Sequence, residues 1–483
     1  MSIHTPDWVK DAIFYQIFPD RFAMSEHVPK PPHLEPWDDP PTIHGFKGGD
    51  LLGVLEHLDY LSDLGITAIY FNPIFCSTAN HRYHTYDYLH VDPLLGGDEA
   101  FRRLLDAAHR RGMRIILDGV FNHASRGFYQ FNHILENGPQ SPYLDWFIIR
   151  GFPLHAYDSM HEPNYVAWWN MPALPKLNTD NPEVREFLME VAEYWIRQGI
   201  DGWRLDVPLE ITTPGFWEEF RRRVKALNPE AYILGEIWDG AQAWLQGERF
   251  DAIMNYSFNR ACYGFFGGQW LDVSQRPGGF SLERLDGVQF SQRIDYLLGL
   301  YDWQITSAQY NLLSSHDEPR FLTMVHGDTR RLRLATLFQM TFPGAPSIYY
   351  GDEVGMEGGR DPDCRRGFPW DESRWDHALR SDFRRCIQLR KDHVALRRGS
   401  YQALAADAST YVFARVHEGE VVVVAFNVGD AEAEVTVDLA GLLPAQAILH
   451  EVWTHRSLTP TEGKLSLTLP ALDGRVFVWQ ANR

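Results

Sequence analysis

The sequence predicts an α/β fold: a (β/α)8 TIM barrel with an inserted subdomain after its third strand, followed by a C-terminal antiparallel β-sandwich. Three observations carry this. Short β-rich runs alternate with amphipathic helical segments over most of the 483 residues, which implies a parallel sheet. Eight strand candidates fall within roughly the first 350 positions, the size of a barrel with insertions. From about Tyr401 the helices stop and β-type runs follow one another.

The elements follow in order. Residues 12–18 read as the first strand, 51–64 as a helix stopped by Gly65, and 68–71 as the second strand. Residues 99–111 read as a helix closed by Gly112, and 114–117 as the third strand. A gap of roughly sixty residues then exceeds any ordinary loop. It is rich in aromatics, Pro and Asn, and reads as an inserted subdomain over 122–178. The helix 182–198 has Pro near its start and Gly199 at its end. A strand ending at Leu205, a helix over 214–227, a strand over 232–234 and a weaker one over 250–254 come next. Strands over 311–313 and 347–350 flank a helix over 329–340. The barrel is therefore expected over 1–121 and 179–395, and the sandwich over 396–483, with strands at 411–416, 421–427, 433–439 and 475–480.

Composition narrows the function. Hydrophobic residues make up 45% and charged residues 23%, an ordinary globular balance. Lys and Arg number 45 against 64 Asp and Glu, a net charge of −19. That argues against nucleic acid and against anionic lipid as partners. No apolar stretch reaches the ~20 residues of a membrane span. The N-terminus, MSIHTPDWVKDAIFYQ, lacks the pattern of a signal peptide. Cys76, Cys262, Cys364 and Cys386 are scattered, so neither a zinc site nor a disulfide framework is expected, and a cytoplasmic location is. The 14% aromatic content suits either stacking on sugar rings or a large core.

A barrel places its functional residues at the C-terminal ends of its strands. The third strand ends in Asp118-Gly-Val-Phe-Asn122-His123, the fourth in Gly202-Trp-Arg204-Leu-Asp206, the fifth in Gly235-Glu236-Ile-Trp238, and the seventh in Ser314-Ser315-His316-Asp317. Carboxylates converging on one barrel mouth repel, so one of them should have a raised pKa. Such a cluster serves either a metal or acid–base and nucleophilic work on a glycosidic bond.

The segments DGVFNH, GWRLD, GEIW and SSHD resemble, in order and strand context, the signature regions of the α-amylase superfamily, glycoside hydrolase family 13. LPKLN at 174–178 and the NTDNPEVREFL after it resemble the cyclomaltodextrinase, neopullulanase and maltogenic amylase group. The resemblance implies that Asp206 is the nucleophile, Glu236 the general acid/base, and Asp317 the third acid, which binds substrate hydroxyls and favours an oxocarbenium-like state. It makes His123 and His316 the pair that hydrogen-bonds the sugar at subsite −1, and Tyr83 the ring that stacks on it. Arg365, with Asp361 nearby, resembles the arginine that closes that subsite. Asp118 resembles the acid that organises Arg204. Trp238 either lines the +1 side or simply packs. Arg204, two residues before Asp206 on one strand, faces the same way and should keep Asp206 ionised. Crowding should keep Glu236 protonated.

Two departures stand out. The group's extra N-terminal β-domain does not precede the first strand, which leaves dimerisation and a preference for cyclic or short substrates open. Phe18-Pro-Asp-Arg-Phe22 is followed by AMSEHVPK rather than an Asn/Asp-rich calcium loop. Asp20 and Asp50 remain, but calcium wants six to eight oxygens, so no calcium is expected there or at Asn122, and no cofactor. His84 stands where the group often has Asp and receives no role. The expected activity is that of a retaining hydrolase of α-1,4-glucosidic bonds in maltooligosaccharides, cyclodextrins, pullulan or starch, with some transglycosylation. An exo-acting α-glucosidase or glucosyl isomerase is the alternative, disfavoured by LPKLN. A non-catalytic glycan-binding member is a remoter one, disfavoured by the presence of all three acids. The glucan is the one partner expected, and the oligomeric state stays open.

Overall fold

The computed structural model describes residues 3–158 and 160–481. The chain forms two compact units. The first takes in residues up to Pro6, Phe14–Met254 and Arg365–Phe368; the second takes in Asp7–Ile13, Asn255–Cys364 and Pro369 onward.

Six parallel strands organise the first unit: β1 (Phe14–Ile17), β2 (Ala68–Phe71), β3 (Arg114–Gly119), β4 (Gly202–Leu205), β5 (Tyr232–Gly235) and β6 (Ala252–Ile253). They pair in chain order, each with the next. All but Arg114 of their residues are buried, as apolar runs covered on both faces should be. Gly202 lets β4 approach β5: a Cβ there would lie 2.2 Å from the Tyr232 carbonyl oxygen. The intervening helix Pro182–Gln198 buries Val184, Leu188, Val191, Ala192 and Trp195, one helical face. The Asn181 side chain accepts from the Glu183 N–H at its start, and Gly199 ends it at φ 104°, a cap worth about 1 kcal/mol.

Two expectations change here. The helix read over 51–64 is two, Leu51–Glu56 and Leu58–Leu64. The His57 ring nitrogen Nδ1 lies 2.7 Å from the Gly53 carbonyl, while the His57 N–H turns to the Val54 carbonyl, and the helix breaks there. The sixth strand shrinks to two residues because buried Asp251 faces Arg221, Lys225 and the Ile233 N–H instead of extending the ladder. Within 122–178, bridges His123↔Lys176 and Phe147↔Leu177 draw the two ends of the insertion together. Its helix is Tyr129–Asn137.

The second unit holds β7 (Tyr310–Leu312) and β8 (Ala345–Tyr349), parallel with Ala345 opposite Tyr310. The helix Thr329–Thr341 lies between them in sequence. The helices Tyr256–Gly267 and Gly287–Gly299 were not expected from the sequence. The unit ends in β9 (Ser400–Ala406), β10 (Thr410–His417), β11 (Glu420–Asn427), β12 (Ala433–Asp438), β13 (Leu449–Glu451), β14 (Ser457–Leu458), β15 (Lys464–Leu469) and β16 (Asp473–Gln480). Six of them form one sheet in the order β9-β10-β11-β16-β13-β14, and β12 pairs with β15. Between the two sheets lies an apolar core that includes Val421, Val423, Val437, Leu449, Leu465, Leu467 and Phe477, the construction of a sandwich. No helix among the described residues is long and apolar enough to cross a membrane.

Candidate active site

Strand register builds the centre of the site. Asp118 on β3 lies directly opposite Arg204 on β4. Asp206 comes two residues after Arg204, and Glu236 follows the last residue of β5. The wholly buried Arg204 guanidinium reaches all three carboxylates. Its Nη1 lies 3.0 Å from Asp118 Oδ1 and 2.9 Å from Asp206 Oδ1, and its Nη2 lies 3.0 Å from Glu236 Oε2. The Val207 N–H donates to Glu236 Oε2 at 3.0 Å, and the Trp238 indole N–H donates to Oε1 at 3.2 Å. Trp238 therefore holds the carboxylate of Glu236. Val207 adopts φ 35°, ψ 52°, a left-handed conformation that a β-branched residue rarely takes and that clusters at functional sites. Asp118 Oδ2 accepts from the hydroxyls of Tyr70 at 2.6 Å and Tyr83 at 2.9 Å.

Burial dominates the electrostatics. It pushes the Asp118 carboxyl up to about 6, with Arg204, Tyr70 and Tyr83 pulling the other way. It pushes Asp206 well above the usual carboxylate range. Arg204 opposes this, and the Glu236 and Asp118 carboxylates reinforce it. Arg204 thus pulls Asp206 toward its ionised form, but one guanidinium serves three acids, and burial outweighs its share. With all four groups ionised, two negative charges would be in excess, so the cluster favours taking up a proton.

His123, just beyond β3, is buried and neutral, its pKa pushed down to about 3 by burial. Its Nε2 lacks a well-formed hydrogen bond from the protein, and its ring stacks on Trp168 at 5.3 Å. Arg365 is buried with its guanidinium 5.3 Å from the Phe18 ring centre. In the second unit, His316 Nε2 lies 3.2 Å from Asp317 Oδ2, and the Ser315 hydroxyl accepts the Asp317 N–H. Asp361, also in that unit, is exposed. The structure thus gathers Tyr83, Asp118, Arg204, Asp206, Glu236 and Trp238 in the first unit, and pairs His316 with Asp317 in the second. Sequence reasoning missed Tyr70, Val207 and Trp168. A tyrosine inside an otherwise apolar buried strand needs a hydroxyl partner, and that signal could have found Tyr70.

The two carboxylates considered for calcium are already satisfied by donors. Asp20 accepts from the N–H groups of Lys47 and Gly48 and lies 3.1 Å from Arg21 Nε. Asp50 accepts from the N–H groups of Gly53 and Ser25 and from the Lys30 ammonium.

Comparison with known proteins agrees with the geometry. Residues 16–398 match the family model for the alpha amylase catalytic domain, and residues 399–477 match the alpha-amylase C-terminal domain. A cyclomaltodextrinase from a Bacillus species is 46% identical over 417 residues, which cover 86% of this chain and 72% of that protein. Neopullulanase 2 of Thermoactinomyces vulgaris is 44% identical over 98% of this chain and 78% of its own. The solved structure of a debranching enzyme from Nostoc punctiforme is 49% identical, with TM-score 0.90, and the match covers 100% of both chains. The chain belongs to the alpha-amylase family: it is a glycoside hydrolase with that family's (β/α)8 catalytic barrel and C-terminal β domain.

Proposed function

We propose that the chain is a retaining hydrolase of α-1,4-glucosidic bonds in maltooligosaccharides, cyclodextrins and pullulan, with some transfer to sugar acceptors. The observation that carries this is the single guanidinium shared by Asp118, Asp206 and Glu236 at three successive strand ends. Arg204 and one proton leave the Asp206–Glu236 pair with one carboxylate and one carboxylic acid, the two states that a retaining mechanism uses. Asp206 attacks the anomeric carbon as Glu236 protonates the departing oxygen, and a covalent β-glucosyl ester forms. Glu236 then takes a proton from water, which attacks the same carbon and frees Asp206. Val207 and Trp238 fix both oxygens of Glu236 for these transfers. Asp118, held by Tyr70 and Tyr83, anchors Arg204. His123 takes the sugar-hydroxyl role that the family pattern gives it. Asp317, His316, Tyr83, Arg365 and Asp361 take the substrate-binding roles that the family pattern gives them.

The proposed protein needs no metal. Asp20 and Asp50 are already committed, and the possible ligands His155, Asp158 and His161 that lie close together include two imidazoles, a set unlike calcium's oxygens. Buried free thiols at all four cysteines support a reducing, cytoplasmic location. We assign the barrel to 1–121 and 179–395, the insertion to 122–178 and the sandwich to 396 onward. These limits lie close to the closing bridges of the insertion and the boundary between the two matched domains.

A second reading, cleavage of α-1,6 bonds, is favoured by the similarity to the Nostoc debranching enzyme over the full length of both chains. Chromatography of products from β-cyclodextrin, pullulan and starch decides between them. Ring opening and panose from pullulan support α-1,4 cleavage; maltotriose from pullulan with an intact ring supports the second. Asp206→Asn and Glu236→Gln should each lower kcat by about three orders of magnitude or more with an unchanged circular dichroism spectrum. Near-normal turnover in either would overturn the roles.

A further inference from the structure

We propose that Trp169 is an aromatic platform on which a glucose ring of the substrate stacks, one or two sugar units from the bond that is cut. The inference rests on the α-glucan reading above and adds a specificity-determining residue to it. Trp169 is 79% exposed, an unusual position for the largest side chain. It is not an isolated surface residue. Its ring stacks on Trp168 at 4.5 Å with the planes only 9° apart, and Trp168 in turn stacks on His123 at 5.3 Å and 21°. The three rings form a ladder from a buried strand-end histidine to open solvent. Trp169 therefore lies at most roughly 10 Å from the His123 ring, an aromatic spacing repeated twice.

The backbone holds this ladder in place. Trp169 sits at φ 49°, ψ 28° and Asn170 at φ 57°, two consecutive left-handed residues that are not glycine. Such strain persists where the surroundings dictate it and gathers at ligand clamps. The turn is closed by the Trp168 N–H on the Leu174 carbonyl and the Met171 N–H on the Trp168 carbonyl. Its base is tied down by the bridges Ala167↔Pro175 and His123↔Lys176, so the segment that displays Trp169 is fastened directly to His123. Packing alone does not account for the residue: one indole face covers Trp168, and most of its surface remains open. A flat, rigid, exposed indole beside a row of sugar-binding candidates suits the apolar C–H face of a pyranose. His123, two rings along the ladder, is the residue that the family pattern assigns to the sugar at subsite −1.

The test compares kcat/KM for maltotriose and maltoheptaose in the wild type and in Trp169→Ala, Trp169→Phe and Trp169→Leu. The expected result is a ratio of long to short substrate that falls tenfold or more in Trp169→Ala and Trp169→Leu and stays within about threefold of wild type in Trp169→Phe, since phenylalanine keeps a flat ring. An unchanged ratio in all three, with an active wild type, overturns this inference alone. So does equal rescue by leucine and phenylalanine, which would make Trp169 an apolar cover for Trp168. A wild type inert on both maltooligosaccharides overturns the α-glucan reading and this inference with it.

Discussion

Tyr70→Phe removes one hydroxyl from the floor of the site and leaves its ring in place. That hydroxyl donates to Asp118 Oδ2 at 2.6 Å, while the ring centre lies 6.0 Å from the Arg204 guanidinium. Burial already holds the Asp118 carboxyl up at about 6, and the Tyr70 hydrogen bond pulls it down. A hydrogen bond to a charged group contributes about 1.5–3 kcal/mol, and one pKa unit is about 1.4 kcal/mol. Losing the donor disfavours the carboxylate, so the Asp118 pKa should rise by about one unit or more, to near 7 or above. Protonated Asp118 no longer anchors Arg204 by charge, so activity should require its ionised form. The acid limb of the kcat/KM profile is thus expected near pH 6 in the wild type and about one unit higher in the variant. At pH 6 the variant should lose about fivefold, while above pH 8 the two should converge. The assay is a pH series on β-cyclodextrin or maltotriose. A variant profile displaced downward at every pH, with its limb unmoved, would refute the reasoning, as would a limb shifted toward acid.

Other outcomes follow from single contacts. Glu420 has its pKa lowered to about 2: burial pushes it up, but bonds from His393, the Ala395 N–H and Gln480 outweigh it. A depressed carboxylate stabilises the fold above its ordinary value of 4.5 and loses that contribution as pH falls toward 2. Glu420→Gln should lower the apparent Tm by several degrees at pH 7, with the gap closing between pH 4.5 and 2; a gap constant with pH would refute the assignment. Val207→Gly keeps the N–H on Glu236 and releases about 1–2 kcal/mol of left-handed strain. Its Tm should hold or rise, and a clear fall would show that Val207 is not strained. Treatment with EDTA should leave Tm and activity unchanged; a loss restored by calcium would overturn the metal-free reading.

The acids at the strand ends were legible because each follows a short apolar run, and a barrel collects those ends at one mouth. Their electrostatics were not. Arg204 and Asp206 are two residues apart in sequence, but the sharing of Arg204 with Asp118 and Glu236 depends on cross-strand register. The left-handed conformations of Val207 and Trp169 carry no mark in those residues, since neither is Gly or Asn; in the Trp169 turn only the adjoining Asn170 is of a type that favours it. In the fold, the helix Tyr256–Gly267 escaped notice because ten of its twelve residues are buried, which erases the one-sided period that marks a surface helix. By contrast, β15 alternates exposed and buried residues strictly through Lys464–Leu469. That period-two signal is legible in KLSLTL itself.

The shared guanidinium has a consequence for inhibition. With three acids around one arginine, the cradle at the anomeric centre keeps an excess of negative charge even after it takes up a proton. A neutral sugar gains little from that field. A ligand with an ammonium at the ring or at the bridging position gains directly, because the charge it brings is the one the pocket lacks. Its affinity should climb with pH as the cluster sheds its proton, then fall once the amine sheds its own. The titration curve of such an amine would therefore report the charge of the pocket without any turnover.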